Sequence, residues 1–328
     1  MQVLLVGCYT APQGTGTGVA AVNGSAVDNL VRATSPSFVA AHPTLPVAYA
    51  VLEQEAGALL TFGLAHGGGV IDQRGSGGAW PCHVAVSEDG RWAGVAHYGD
   101  GTAGLLPLGA DGAPAGPPQL LVHEGRGPDT VRQAGPHAHQ VVFAGELLLV
   151  VDLGSDAVHR YQLVDGRWVV AHGGPARLRS GCGPRHLIAD GTRRWVVGEL
   201  DATVTGYDEE ASGRWRELGS CPSTATATAE PVCPSHIGLR DGHLYVSNRE
   251  PGTIAVFAVG DGAPTLVGEA PTGGRWPRHF AFAGATMVVA NERSDEVTWL
   301  PFDQGPVPGA VAGRVPIGSP TCVAVAAW

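Results

Sequence analysis

Hydrophobic positions along this chain fall in short runs of four to seven residues, broken by glycine, proline and aspartate. The clearest unit starts at Cys233-Pro234-Ser235-His236-Ile237 and crosses Asp241-Gly242 into His243-Leu244-Tyr245-Val246-Ser247-Asn248-Arg249. It turns at Pro251-Gly252 and continues as Thr253-Ile254-Ala255-Val256-Phe257. Runs rich in Val, Ile and Tyr between Asp-Gly and Pro-Gly turns are strands in hairpins.

The unit recurs, opening at Pro36, Pro81, Pro136, Pro184, Pro234, Pro277 and Pro320, with separations of 45, 55, 48, 50, 43 and 43 residues. That period suits a four-stranded propeller blade. The seventh copy stops after one strand, and the strand-like runs Val3–Gly7 and Gly18–Val22 supply the missing ones. The prediction is an all-β fold: one seven-bladed β-propeller domain over residues 1–328, built of four-stranded antiparallel blades. Joining the N- and C-terminal strands in one blade removes a free edge and closes the ring. A solenoid would need independently capped ends, whereas these ends complement each other. Ser220 to Pro231, with alternating Thr and Ala, reads as a long loop between blades.

Composition agrees. Glycine is 49 and proline 25 of 328 residues, and charged residues are 15%, which leaves little long surface helix. All 20 basic residues are Arg, as coding in a GC-rich genome would give. The net charge of −10 and the lack of cation clusters argue against nucleic-acid binding. The six cysteines form no C-x-x-C pair and are read as reduced, partly buried thiols. Leu5-Val6-Gly7-Cys8 imitates a lipoprotein box but has no cationic start before it, so it reads as a strand. No run approaches the ~20 apolar residues of a membrane helix. The expectation is a soluble, cytoplasmic monomer with no membrane or nucleic-acid partner.

Counting two residues from the opening proline gives Phe38, His83, His186, His236, His279 and Cys322; His139, three residues after Pro136, heads the same run. The first strand of a blade lines the channel, so five histidines are expected to form one column. A second set, Glu53, His97-Tyr98, Asp152, Glu199, Asn248-Arg249 and Asn291-Glu292, follows the second strands. Polar strand ends are ordinarily turn formers; Arg249 and Glu199 fit that role poorly. The ends of first and second strands are expected at opposite ends of a blade, leaving this set only roughly near the column.

No Ser carries Gly two residues before and after it, which excludes a nucleophile elbow. Gly14, Gly16 and Gly18 precede no helix and form a hairpin turn, not a phosphate loop. His137 and His139 share a strand face but lack a third metal ligand at suitable spacing.

The run Gly183-Pro184-Arg185-His186 with Glu199-Leu200-Asp201, then Ser247-Asn248-Arg249 and Pro277-Arg278-His279-Phe280, resembles the bacterial propeller-type 6-phosphogluconolactonases. The similarity runs from Gly7-Cys8-Tyr9-Thr10, through Pro36-Ser37-Phe38 and Tyr49-Ala50-Val51, to Pro320-Thr321-Cys322-Val323. The family also holds fungal carboxymuconate-lactonising enzymes, so lactone chemistry is implied more firmly than one substrate. The resemblance implies hydrolysis of a small-molecule sugar lactone, 6-phospho-D-glucono-1,5-lactone to 6-phosphogluconate of the pentose phosphate pathway, without metal or organic cofactor. It assigns His139, Arg185 and Glu199 to catalysis, with His139 or Glu199 as base, and Arg249, Arg278, His186 and His236 to substrate binding. The family's Asn is replaced by Leu52, His97 and Gly198, which is expected to alter substrate orientation. A non-enzymatic binding propeller and a metal-dependent lactonase are the competing classes.

Overall fold

A computed structural model of the chain describes residues 2–64 and 69–327. Each repeat is an antiparallel sheet of four strands, and the third carries a fifth short strand, Ala176–Arg177, beside Ala157–Val164. The innermost strands of blades one to six are Pro36–Ala41, Pro81–Val86, Ala138–Ala144, Pro184–Asp190, Pro234–Arg240 and Pro277–Ala283. The seventh blade combines Pro320–Ala327, innermost, with Gln2–Cys8, Gly18–Asn23 and Ala26–Arg32. Pro320–Ala327 packs between the innermost strands of blades six and one, which closes the ring as expected. The Thr/Ala segment begins later than expected, because Ser220–Pro222 still belong to the strand Trp215–Pro222. Among the described residues no helix is long and apolar enough to cross a membrane.

Each blade is sandwiched between two others, so its middle strands bury both faces and read as continuous apolar runs. Val47–Leu52 is buried throughout. The core divides into seven clusters, one at each interface between blades. Leu149, Val151, Leu187 and Val196 join blades three and four, and Leu5, Val19, Val39 and Ala50 join seven and one.

Two local features build the channel mouth. First, antiparallel pairing sets the start of each innermost strand against the end of the next: Pro36 against Leu52, Pro81 against His97, Pro184 against Gly198, Pro277 against Asn291. The polar set and the strand starts therefore share one end of the blade, correcting the expected separation; it is the starts, not the ends, of the first strands that carry the histidines. Second, the register slips just after these prolines. A bulge of this kind re-aims one side chain. In blade three the slip lies between Ala138 and Gln140. Ala138 thus holds the opening-proline place, and counting from Pro136 displaced this blade by two residues.

Candidate active site

The slip sorts the mouth into layers. The bulged residues are Ser37, Cys82, His139, Arg185, Arg278 and Thr321, and Ser235 lies in the longer irregularity of blade five. One residue deeper stand Phe38, His83, Gln140, His186, His236, His279 and Cys322. His139 therefore belongs with Arg185, not with the deeper column, and Gln140 takes its expected place there.

The deeper ring is largely aromatic and buried. Phe38 lies 4.1 Å from His83 and 5.1 Å from His279 between ring centroids; His236 lies 3.8 Å from His279. Burial, the largest cause, drives His83, His186 and His236 well below the usual imidazole range and His279 to about 3. His186 Nδ1 and His236 Nδ1 are 2.9 Å apart, so one donates and the other accepts, as neutral rings can.

Above the bulges lies a rim made by the residue that follows each second strand. Backbone N–H groups of Tyr9, Glu53, Tyr98, Leu153, Glu199 and Glu292 donate to the carbonyls of Ser319, Ser35, Trp80, His137, Gly183 and Trp276, over 2.8–3.1 Å. Five of these acceptors precede an opening proline and take a left-handed φ, from 37° at Ser319 to 64° at Trp276. Gly183 takes this conformation freely; at the other four, backbone strain of this kind costs roughly 1–3 kcal/mol per residue and is typical of functional sites.

On the side of blades three to five the rim and bulge layers meet in one ion cluster. Glu199 Oε2 lies 2.9 Å from Arg185 Nε and 2.7 Å from Arg249 Nη2, and its Oε1 lies 2.6 Å from Arg132 Nη2. Arg185 also donates to the Ser235 carbonyl at 2.6 Å and Arg249 to that of Cys233 at 2.7 Å. Both Arg185 and Glu199 side chains are only 4% exposed. Burial opposes the Glu199 charge, but Arg249, Arg185 and their neighbours overcome it and hold the carboxyl far below its ordinary value. Burial and then Arg249 press Arg185 the other way, below the usual guanidinium value. His139 borders the cluster: burial and Arg185 keep it neutral, well below the imidazole range, and its Nδ1 is 3.8 Å from Cys82 Sγ.

Across the mouth Tyr9 Oη donates to Glu53, 3.0 Å from Oε1 and 3.1 Å from Oε2. Arg278 Nη2 donates to Tyr9 Oη at 2.7 Å and Nη1 pairs with Glu292 at 3.1 Å. Burial raises the Glu53 carboxyl above the usual range, and Arg278 is the chief opposing influence.

The residues named from sequence thus converge at one end of the channel: His139, Arg185, Glu199 and Arg249 in one cluster, Arg278 opposite, His186 and His236 beneath. Of the three departures from the family Asn, His97 proves to be a brace, whereas Leu52 packs into the core between blades seven and one. His97 sits between Ser76 Oγ at 2.9 Å and Thr102 Oγ1 at 3.0 Å. Asn248 and Asn291 brace their blades similarly, through Ser223 and Thr298. At Gly198 a Cβ would come within 2.2 Å of Asp201 Oδ1, so Asp201 fills the room a side chain would need. His137 precedes its strand and stacks on Tyr98, 4.5 Å between centroids, and His139 meets the same ring edge-on at 5.6 Å. Arg132 was not foreseen. It lies in the segment between Gln119–Leu121 and Ala138–Ala144, and its signal was the longest repeat spacing, 55 residues.

A family model described as a lactonase, seven-bladed β-propeller, matches residues 3–325. A Bacillus subtilis 6-phosphogluconolactonase is 30% identical over 239 residues, 69% of this chain and 67% of that protein. One from Formosa agariphila is 25% identical over 293 residues, 83% and 82% of the two chains. The structure of a Pseudomonas aeruginosa periplasmic gluconolactonase superposes with a TM-score of 0.88 at 27% identity, covering 99% of each chain.

Proposed function

The chain belongs to the lactonase family of seven-bladed β-propellers, and from that membership we propose that it hydrolyses 6-phospho-D-glucono-1,5-lactone at the channel mouth. A lactone-opening carboxylic ester hydrolase must bind the ring, stabilise a developing oxyanion and deprotonate water. One observation carries the choice of an anionic substrate: four guanidiniums, Arg132, Arg185, Arg249 and Arg278, gather at the mouth of a chain whose net charge is −10. Glu199 orders three of them by ion pairing, which fixes their forks for a phosphate or an oxyanion. Arg185, the most deeply buried and beside His139, is the oxyanion donor in this reading; Arg249 and Arg278 hold the phosphate, over a floor of His186 and His236. Every group comes from one chain, so a monomer suffices, and a cytoplasmic setting is part of the same proposal.

The test replaces Arg185, Arg249 and Arg278 singly by Ala and compares phosphorylated with unphosphorylated gluconolactone. Arg185→Ala should lower kcat roughly 100-fold or more, the cost of one good oxyanion donor. Arg249→Ala and Arg278→Ala should raise KM chiefly for the phosphorylated ring. Three variants that match the parent on both lactones would refute the site.

A further inference from the structure

Lactone opening takes a proton off the attacking water, and the mouth offers three acceptors. Glu199 spends its charge on three guanidiniums. His139 would have to become a buried cation beside Arg185. Glu53 differs. Among the described residues it has no ion pair, and the only groups that donate toward its oxygens are the neutral hydroxyls of Tyr9 and Ser37. Beside it is a cavity of about 10 Å³, lined by Glu53, Ser37, Cys82, Arg185, Arg278 and Thr321 among others. That is room for about one water molecule, and the lining is polar enough to hold it. Ser37 is 4% exposed; its hydroxyl stands near enough to Glu53 to favour the carboxylate, yet among the described residues its Oγ completes no hydrogen bond of ordinary geometry. A buried hydroxyl left open in this way is ordinarily satisfied by a bound water.

We infer that Glu53 takes the proton of the attacking water, which sits in the cavity that Glu53 and Ser37 line. This rests on the lactonase reading. The water oxygen bonds to the carbonyl carbon while its proton passes to Glu53, and the carbonyl electron pair moves onto oxygen facing Arg185. The pair then returns and the ring C–O bond breaks. The ring oxygen leaves with the proton from Glu53, which restores the carboxylate, and the acid product loses its remaining proton to solvent. A carboxyl lifted by burial is the better base of the two carboxylates, since proton affinity nearer the working pH favours transfer.

The experiment measures kcat, KM and their pH dependence for Glu53→Gln, Glu53→Asp and His139→Asn on freshly prepared 6-phosphoglucono-1,5-lactone, with the spontaneous rate subtracted and thermal melts to check folding. Glu53→Gln should lose about 100-fold or more in kcat with little change in KM, the usual yield of general base catalysis. It should also lose the acid limb of the profile, the fall in kcat as Glu53 becomes protonated. Glu53→Asp should keep part of the rate and the limb. A Glu53→Gln enzyme that keeps the parental kcat, or only raises KM, overturns the assignment. Removal of the acid limb by His139→Asn instead moves the base to His139. A parent no faster than the spontaneous reaction overturns the lactonase reading itself and this assignment with it.

Discussion

Glu53 and Glu199 occupy the same place in blades one and four. Each follows the second strand, and each donates its backbone N–H to the residue before the opening proline. Their carboxyls nevertheless go opposite ways. Burial acts on both. At Glu199 it is outweighed by Arg249, Arg185 and their neighbours; at Glu53 Arg278 only partly offsets it, and the donors beside it are the neutral hydroxyls of Ser37 and Tyr9. The repeat thus sets where a rim carboxylate stands, and the bulge and loop residues of neighbouring blades decide what it can do.

That contrast holds only if the floor beneath both carboxylates is uncharged, because cationic imidazoles would pull Glu53 down as well. This gives the largest expected effect. Burial holds four floor imidazoles, at 83, 186, 236 and 279, and His139 in the layer above them, below their ordinary value in the fold. The unfolded chain therefore binds more protons below about pH 6.5, so their contribution is complete above that value and lost as the pH falls. Each costs about 1.4 kcal/mol one unit lower. Five such groups should lower Tm on the order of 10 °C between pH 7.5 and 5.5. A flat Tm across that range would mean a charged or hydrated floor.

A smaller effect separates the carboxylates directly. Glu199→Gln leaves buried guanidiniums unpaired and should cost about 3–5 kcal/mol in denaturant unfolding. Glu53→Gln removes no ion pair and should cost within about 1 kcal/mol, the worth of an ordinary hydrogen bond. Equal costs would erase the distinction.

Much of the mouth was legible in the chain. The proline period gave seven blades and the closing strands, because each blade needs the same strand-and-turn grammar. Arg185, Glu199, Arg249 and Arg278 followed from motif order. Two things were hidden. Blade three has Ala138 where the others have proline, so His139 was counted into the deeper ring although the bulge lifts it beside Arg185. The partners that divide Glu53 from Glu199 come from elsewhere in the ring: Tyr9 and Arg278 are 269 residues apart, and Arg132 reaches Glu199 across 67. A local pattern shows two similar glutamates; only closure of the ring shows their different neighbours.

The most direct measurement is a pH titration of protein carrying ¹³Cδ-labelled glutamate, followed by NMR, with both resonances assigned through Glu53→Gln and Glu199→Gln. Glu53 should titrate above the ordinary glutamate value of about 4.3, whereas Glu199 should stay ionised at every pH where the fold persists. Titration of the two together, or of Glu199 first, would contradict the division of labour between them.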